Sequence, residues 1–395
     1  MPWRHVASQQ LRRLRRLRRL RRRQPLTPST TLLLALWLAT IYWGERRVFH
    51  TAVRACDWAQ WEPWPRDAAP HRLALIADPQ LVDPHTYPGR PWPLARLTET
   101  FTDRYMRRNF RLVNARLDPD SVVFLGDLFD GGREWATDGS PQWTRWGHEQ
   151  WTRDLARFSA IFLAPSQLYP TFHTGSKPRR VLASLPGNHD LGFGAGVQLA
   201  VRDRFQSHFG PTNRVDVFAN HTFITLDAVS LSAQSQFHPD GSESSPAEAL
   251  PWEHIWSEPR RFLDNLRGPT SQAVADALPV ILLTHVPLFR PPDTPCGALR
   301  ERGSAIRIGS GYQYQNVLTA SLSAEILDKV SSAAGTIAHV FSGDDHDYCD
   351  VLHHHNLRAP SSPPIPETTV KSFSLAMGVR RPALQLVSLW NPVDP

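Results

Sequence analysis

Five short clusters of polar residues have the composition of a site for divalent metal ions. They are Asp78-Pro79-Gln80, Gly126-Asp127-Leu128-Phe129-Asp130, Gly187-Asn188-His189-Asp190, Thr284-His285 and Gly343-Asp344-Asp345-His346. Two cations about 3.5 to 4 Å apart need a bridging carboxylate and several oxygen or nitrogen ligands each, with positions left open for water and phosphate. The glycines before Asp127, Asn188 and Asp344 allow sharp backbone turns close to such ions. One cluster alone could be a helix cap, but five in this order predict a two-metal centre.

Apolar runs that precede the clusters are typical of buried strands. Strands are predicted at residues 73–77, 121–125, 181–185, 222–226, 280–283, 338–341, 372–376 and 383–389, and helices at 94–117 and 324–331. The clusters follow the first, second, third, fifth and sixth of these strands. Because ligands bind beyond the carboxyl ends of strands in an α/β sheet, the five clusters are expected to meet at one edge.

The clusters resemble the pattern D-x-H, GDxxD, GNH[DE], H and GHxH of the calcineurin-like metallophosphoesterases. The resemblance covers about residues 72 to 347 in the standard order. Within it, ADPQLVDPHTYPGR, FLGDLFDGGREW, LPGNHD and FSGDDHDYCD look like the endoplasmic-reticulum branch that remodels GPI anchors. That branch includes fungal cell-division-control phosphoesterases and the animal enzyme that removes ethanolamine phosphate from GPI mannose. The resemblance implies an α/β fold with a central β-sandwich flanked by helices.

The resemblance also implies a role for each site residue. Asp78 and His346 would hold one metal, Asp127 would bridge, and Asn188, His285 and Asp344 would hold the other. His189 would be the general acid, and Asp130 would orient it.

Two further predictions concern the metal and the phosphate. Gln80 and Asp344 replace histidines that are usual in the family, so the site is expected to favour manganese or magnesium over zinc, with manganese as the first choice. Gln80 is expected to be a weak ligand or only a neighbour of the ligands. Arg133 and Arg90 are candidates for contacting phosphate, with a surface salt bridge as the alternative for each.

The implied reaction is hydrolysis of the ethanolamine-phosphate diester on a GPI-anchor mannose. The implied partners are the GPI glycolipid or GPI-anchored proteins, together with the membrane. Two alternatives remain open at this stage. One is a phosphomonoesterase that acts on a lipid or protein through the same dinuclear site, and the other is a catalytically weak membrane scaffold.

The charge distribution argues against nucleic acid as a partner. The net charge is +7, but ten arginines and no acidic residue lie within residues 1–23. Removing these ten from the 44 basic residues leaves 34, against 37 acidic residues. The rest of the chain therefore lacks the overall positive field that binding to a phosphate backbone requires.

The N-terminus predicts a signal anchor. Residues 1–29 are expected to be an Arg-rich cytosolic tail, residues 30–44 a transmembrane helix, and residues 45–70 a juxtamembrane linker. A cleaved signal peptide or a buried core helix are the alternatives for the apolar run, which is short for a bilayer span. The catalytic domain, 71–395, with insertions near 134–178 and 228–260, would then lie in the lumen of the endoplasmic reticulum.

Two further features fit a secretory-pathway domain. Asn220 begins an N-x-T sequon, and the chain has three cysteines, Cys56, Cys296 and Cys349. Cys296 and Cys349 each lie near the predicted site and could form a disulfide, although the spacing alone does not determine the pairing.

Overall fold

The computed structural model describes residues 27–135, 148–165, 179–266, 278–311, 313–354 and 363–392. The chain divides into two compact units, Met1–Gln60 and Trp61–Pro395. The described part of the first unit is helical: it contains α1 (Pro28–Tyr42), a π-helical turn at Trp43–Arg47, α2 (Val48–Ala55) and a 3-10 turn at Trp58–Gln60.

The predicted transmembrane helix at residues 30–44 is not supported. Helix α1 has 15 residues, and Glu45, Arg46 and Arg47 lie in the π-helical turn that follows it. Within the described ranges, no helix combines the length and apolar character that crossing a membrane requires. Residues 48–55 of the predicted linker are helical. The Arg-rich block up to residue 23 lies outside the described residues.

The first sheet of the second unit has the strand order β12-β1-β2-β3. Its strands are β1 (His71–Ile76), β2 (Ser121–Phe124), β3 (Arg180–Leu182) and β12 (Gln385–Leu389). Strands β1, β2 and β3 are parallel, and β12 pairs antiparallel with β1 at the edge. The carboxyl ends of β1, β2 and β3 therefore meet at one side of this sheet.

The second sheet has the order β10-β11-β9-β6-β5-β4. Its strands are β4 (Arg214–Phe218), β5 (His221–Thr225), β6 (Val280–Leu283), β9 (Ile337–Ser342), β10 (Cys349–His353) and β11 (Ile365–Thr369), and a separate hairpin is formed by β7 (Ser310–Gly311) and β8 (Tyr314–Gln315). Strands β5, β6, β9 and β11 are parallel, whereas β4 and β10 are antiparallel edge strands.

Apolar side chains from the two sheets pack against each other in one core layer. Leu73 and Leu75 of β1 share this cluster with Phe223 of β5 and Leu283 of β6. Because side chains alternate along a strand, Ile76 of β1 and its equivalents face the opposite side and pack with the helices. The result is a β-sandwich with helices on its outer faces, which confirms the predicted α/β architecture.

The helices of the second unit flank this sandwich. They are α3 (Trp92–Arg116), α4 (His148–Phe158), α5 (Asn188–Leu191), α6 (Leu199–Phe209), α7 (Ala228–Leu231), α8 (Pro246–Ala249), α9 (Glu253–Asp264) and α10 (Ala320–Ala334), with a π-helical turn at Ser159–Leu163 and 3-10 turns at Gly132–Glu134, Gly194–Gly196, Ser232–Gln234 and Leu250–Trp252. The long helix α3 places Phe110 against Phe162, with ring centroids 5.1 Å apart. Helices α7 to α9 occupy the predicted insertion 228–260, so this segment is mainly helical; much of the other predicted insertion lies outside the described residues.

Three sequence predictions about strands differ from the structure. Residues 372–376 form only an isolated bridge between Ser372 and Ala77. Strands β4 and β10 were not predicted, and β11 occupies the end of a stretch that reads as a Pro/Ser-rich loop. Glu367 of β11 is buried, and an ion pair of 2.8 Å with Arg290 compensates its charge.

A disulfide joins Cys296 to Cys349, across a sequence separation of 53. Cys349 is the first residue of β10 and follows the last polar cluster closely. The disulfide therefore attaches the loop around residue 296 to the segment that carries Asp344 and His346.

Candidate metal centre

Loops at the carboxyl ends of parallel strands from both sheets carry the predicted ligands. Asp78 follows β1, Asp127 follows β2, and Asn188 opens α5 beyond β3. The facing sheet contributes His285 after β6, and Asp344 and His346 after β9. Each sheet alone therefore holds only part of the site, and packing of the sandwich brings the two parts together.

One group of ligand atoms comes from Asp78, Asp127 and His346. One atom from each residue lies within 4.8 Å of the other two, and both aspartates are buried. Two carboxylates and an imidazole at this separation can share one cation.

A second group surrounds Nε2 of His285. This atom lies 3.3 Å from Oδ1 of Asn188, 3.4 Å from Oδ1 of Asp127 and 3.5 Å from Oδ1 of Asp344. Asp127 belongs to both groups, which is the arrangement that a bridging carboxylate between two cations requires.

Unpaired buried oxygen atoms indicate that these residues fit a metal. Asp78 and Gln80 are fully buried, yet Oδ2 of Asp78 and Oε1 of Gln80 have no hydrogen-bond partner among the described residues. A buried oxygen without a partner costs about 1 to 3 kcal/mol, and more for a charged group. Nε2 of Gln80 donates to Oδ2 of Asp127 at 2.6 Å, so its carbonyl oxygen is the atom left for a cation.

The backbone is in the left-handed region at most of the proposed ligands. The φ angles are 46° at Asp78, 34° at Gln80, 50° at Asp127, 66° at Asp344 and 63° at His346. Such conformations are uncommon for residues other than glycine and persist where the surroundings hold them. They turn each side chain inward immediately after its strand.

Two glycines allow the loops to approach closely. A Cβ atom on Gly187 would overlap Asp127, and one on Gly126 would overlap the ring of His285. Gly126 also has a φ of 94°, which disfavours any side chain. Gly126 and Gly187, which precede Asp127 and Asn188, therefore lie directly against proposed ligands.

Electrostatic interactions within the cluster of proposed ligands favour the presence of a cation there. Burial raises the pKa of Asp78 well above its usual range. Burial alone lowers the pKa of His285, but the Asp127 and Asp344 carboxylates outweigh it and raise this pKa well above its usual range. Three carboxylates around His285 therefore form a site in which a cation lowers the electrostatic free energy.

Two hydrogen bonds orient His285 and Asn188 so that their free ligand atoms face the proposed cation. Nδ1 of His285 lies 2.7 Å from the carbonyl oxygen of Leu125, which can only accept, so Nδ1 carries the proton and directs Nε2 to the cluster. Nδ2 of Asn188 donates to the carbonyl oxygen of Gln313 at 2.9 Å. The oxygen of the Asn188 amide is consequently the atom that faces His285.

His189 lies beside the cluster and is held differently from the prediction. Its backbone N–H donates to Oδ1 of Asp127 at 2.9 Å. Nδ1 of its ring donates to the backbone carbonyl oxygen of Asp130 at 2.6 Å, whereas the Asp130 carboxylate is 3.5 Å away. The half-buried ring is thus oriented chiefly by the Asp130 carbonyl, and Nε2 has no partner in the described parts of the chain.

Two supporting residues were not assigned a role from the sequence. The fully buried Asp190 accepts the backbone N–H groups of Gly187 at 2.9 Å and Leu128 at 3.1 Å, joining two ligand loops. Its place in the fourth position of GNHD is the signal that could have identified it. Gln313 lies in a loop 125 residues from Asn188, and no local pattern marks it.

The two arginines predicted to contact phosphate have other partners. Arg133 is buried and donates to the backbone carbonyl oxygen of Asn188 at 2.7 Å, so it anchors a ligand loop. Arg90 donates to Oγ1 of Thr98 at 2.7 Å and lies 3.8 Å from the ring centroid of Tyr87. A phosphate contact by either arginine stays a prediction.

A buried cluster of carboxylates and histidines, built by both sheets of an α/β sandwich, with a further histidine beside it, is typical of metal-dependent phosphoesterases. Residues 71–348 match the family described as calcineurin-like phosphoesterase, and the chain belongs to this family. It is accordingly a hydrolase that acts on phosphate esters. The family uses a dinuclear divalent-metal site, for which the cluster around Asp127 is the candidate.

The similarity to individual proteins covers more of the chain than residues 71–348. Over 366 residues the chain is 40% identical to Cell division control protein 1 of Saccharomyces cerevisiae, covering 92% of this chain and 64% of the yeast protein. Metallophosphoesterase 1 of Pongo abelii is 25% identical over 358 residues, covering 88% of this chain and 77% of that protein. The phosphopantetheinyl hydrolase structure from Mycobacterium tuberculosis aligns with a TM-score of 0.39 at 13% identity, covering 81% of this chain and 96% of that one.

We expect Asp127→Asn to abolish metal binding and turnover together. The substitution removes the charge shared by both ligand groups, so metal content measured by mass spectrometry after dialysis against manganese should fall, and phosphoesterase activity should drop at least ~10³-fold. Asp293→Asn is the matched control, because Asp293 is exposed and also has a positive φ of 63°. Retention of two metals per chain in Asp127→Asn would contradict the bridging role.

Proposed function

We propose that the protein hydrolyses the ethanolamine-phosphate diester on a GPI-anchor mannose during GPI-anchor remodelling. The observation that carries the catalytic part is the position of His189, which lies beside the carboxylate cluster with its ring fixed by Asp130 and its Nε2 without a partner among the described residues. A sugar alkoxide is a poor leaving group and needs a proton. The motifs around the ligands support the choice of substrate, since they resemble the GPI-remodelling branch.

Two divalent cations, with manganese as the proposed metal, would be held by these residues. Asp78, Asp127 and His346, with Gln80 nearby, would hold one ion, and Asp127, Asn188, His285 and Asp344 the other. When bound, such ions neutralise phosphate oxygens and lower the pKa of water. Amide and carboxylate oxygens from Gln80 and Asp344 in place of imidazole nitrogens support manganese over zinc.

His189 would supply the proton in the bond-breaking step. The water oxygen bonds to phosphorus and one proton of the water goes to solvent, the bond between phosphorus and the mannose oxygen breaks, and the protonated ring transfers its proton from Nε2 to that oxygen. Solvent then reprotonates the ring. The carbonyl of Asp130 accepts the other N–H of the ring and fixes its orientation.

A phosphomonoesterase acting on a lipid or protein is the second candidate, because the same ligands suit a monoester. A catalytically weak scaffold is less well supported. Both ligand groups contain side chains that can bind a metal, and Gly187 leaves the space that Asp127 occupies.

The substrate proposal predicts a preference for diesters. The metal-loaded full chain should release ethanolamine phosphate from a GPI glycan that carries it on mannose, while the corresponding phosphomonoester should be cleaved at least ~10-fold more slowly. Mass spectrometry of the glycan products measures both rates, and GPI intermediates should accumulate in cells lacking the gene. Faster cleavage of the monoester would favour the second candidate.

His189→Ala is expected to separate proton transfer from metal binding. The ligands stay in place, so metal content should be unchanged while the rate on the sugar diester falls roughly 10² to 10⁴-fold. A nitrophenolate leaves without a proton, so the loss on an aryl phosphodiester should be much smaller. His254→Ala, at an exposed histidine of α9, serves as the control. Equal losses on both substrates with full metal content would exclude the general-acid role.

Location in the lumen of the endoplasmic reticulum, in contact with its membrane, belongs to the same proposal. The disulfide Cys296–Cys349 supports an oxidising compartment. Helix α1 exposes large apolar side chains such as Leu33 and Trp37, which are 66% and 60% exposed and suit a lipid surface. The sequon residue Asn220 is in the turn between β4 and β5, where a glycan could be accommodated.

The lumenal location predicts an N-linked glycan on Asn220. Protein made in cells should shift to lower mass on treatment with a glycosidase that removes N-glycans, and Asn220→Gln should lack the shift. Asn391→Gln, which removes the side chain that donates to the Asn220 carbonyl, controls for disturbance of the turn. An unglycosylated wild-type chain would argue against lumenal exposure.

A further inference from the structure

A cavity of about 770 Å³ lies beside the loop that carries Asp344 and His346. Its walls come from residues 298–302, 378 and 380–385, together with Tyr348, Val370 and Lys371. The volume is within the usual range for small-molecule sites, and it has room for a phosphorylated sugar. Leu299, which is 66% exposed, and Tyr348 are among the lining residues that offer apolar surface.

The walls of the cavity carry an excess of positive charge. The cations are Arg300, Arg302, Lys371, Arg380 and Arg381, and Glu301 is the acidic residue of the same lining. Glu301 is already compensated: its carboxylate accepts from Nζ of Lys371 at 2.9 Å and from the backbone N–H of Arg380 at 2.8 Å. Among the described residues, Glu301 therefore forms its ion pair with Lys371 and none with a guanidinium group.

Arg380 and Arg381 are the cations available to a ligand. Both are exposed, and their backbone N–H groups bind Glu301. Their guanidinium groups have neither an ion-pair nor a hydrogen-bond partner in the described ranges. Guanidinium groups bind phosphate oxygens through paired hydrogen bonds, so two adjacent ones facing one cavity suit a phosphate group.

The cavity is fixed to the metal-ligand loop by several contacts. Nη1 of Arg300 donates to Oδ2 of Asp345 at 2.6 Å. The backbone N–H groups of Glu301 and Arg302 both donate to Oδ2 of Asp347 at 2.7 Å. Asp345 and Asp347 flank His346, so the basic wall and this proposed ligand belong to one rigid segment.

The disulfide reinforces this attachment. Cys296 lies two residues before the wall segment 298–302, and Cys349 directly follows Tyr348 of the lining. The wall segment 298–302 is thus joined covalently to the segment that carries Tyr348 and His346. A group bound in the cavity would have a defined distance to a phosphorus atom at the metals.

We propose that this cavity binds a second phosphate group of the substrate, separate from the phosphoester that is hydrolysed, through Arg380 and Arg381. The inference rests on the proposed function, since it gives a substrate with more than one phosphate a second point of attachment. The bound chemistry is a sugar or inositol phosphate, whether it belongs to a soluble glycan or to a lipid headgroup.

The test uses the metal-loaded full chain and the double variant R380Q/R381Q. The probe is glycerophosphoinositol, and its affinity is measured by calorimetry. The variant should bind the probe about 10-fold more weakly, while kcat/KM on a small aryl phosphodiester should stay within about twofold of the wild-type value. R104Q/R111Q is the control, because it removes the same charge from exposed positions of α3 and should change neither quantity.

A second arm compares vesicles of phosphatidylcholine with and without phosphatidylinositol. Arginine-dependent binding to the inositol lipid as well as to the probe supports a lipid headgroup, and binding to the soluble probe alone supports a glycan phosphate. Unchanged probe affinity in R380Q/R381Q, or an equal loss in the control pair, would overturn the proposal. If aryl phosphodiester hydrolysis is absent but arginine-dependent binding persists, the proposed function fails and the anion site stands.

Discussion

Mutual repulsion among buried carboxylates is the constraint on which the rest of the site depends. Asp78, Asp127 and Asp344 surround one imidazole, and two of the three are fully buried. Such a cluster is stable only when positive charge compensates it, because burial disfavours each ionised carboxylate and each repels the others. A proton on His285 offsets part of this charge, and divalent cations would offset far more.

The surrounding structure holds this unfavourable arrangement in place. The left-handed backbone at five of the proposed ligands costs about 1 to 3 kcal/mol at each residue, and the free energy comes from elsewhere in the fold. Packing between the two sheets and the hydrogen bonds of Asp190 are the contacts that oppose relaxation of the ligand loops. Rigid placement has a functional benefit, because a preorganised site does not need to rearrange when charge develops on the substrate.

Local patterns predicted the parts of the site that follow strands directly. Asp127 and His285 were identifiable because each comes just after a short apolar run, and chain direction then places it at the sheet edge. Gln313 could not be identified, since its contact with Asn188 depends on how a distant loop packs. Similarly, β11 was missed because a glutamate in the sequence indicates a surface position. Glu367 is buried only because Arg290, from another segment, compensates its charge.

The distribution of the ligands over both sheets has a consequence for biosynthesis. The first proposed ligand is residue 78 and the last is residue 346, while the strand that completes the sheet beside β1 ends at residue 389. A nascent chain therefore cannot assemble this centre until the segment that carries Asp344 and His346 has left the ribosome, although β1, β2 and β3 emerge earlier. Uptake of both metal ions would therefore follow assembly of both sheets, and metal content would report that the sandwich has formed.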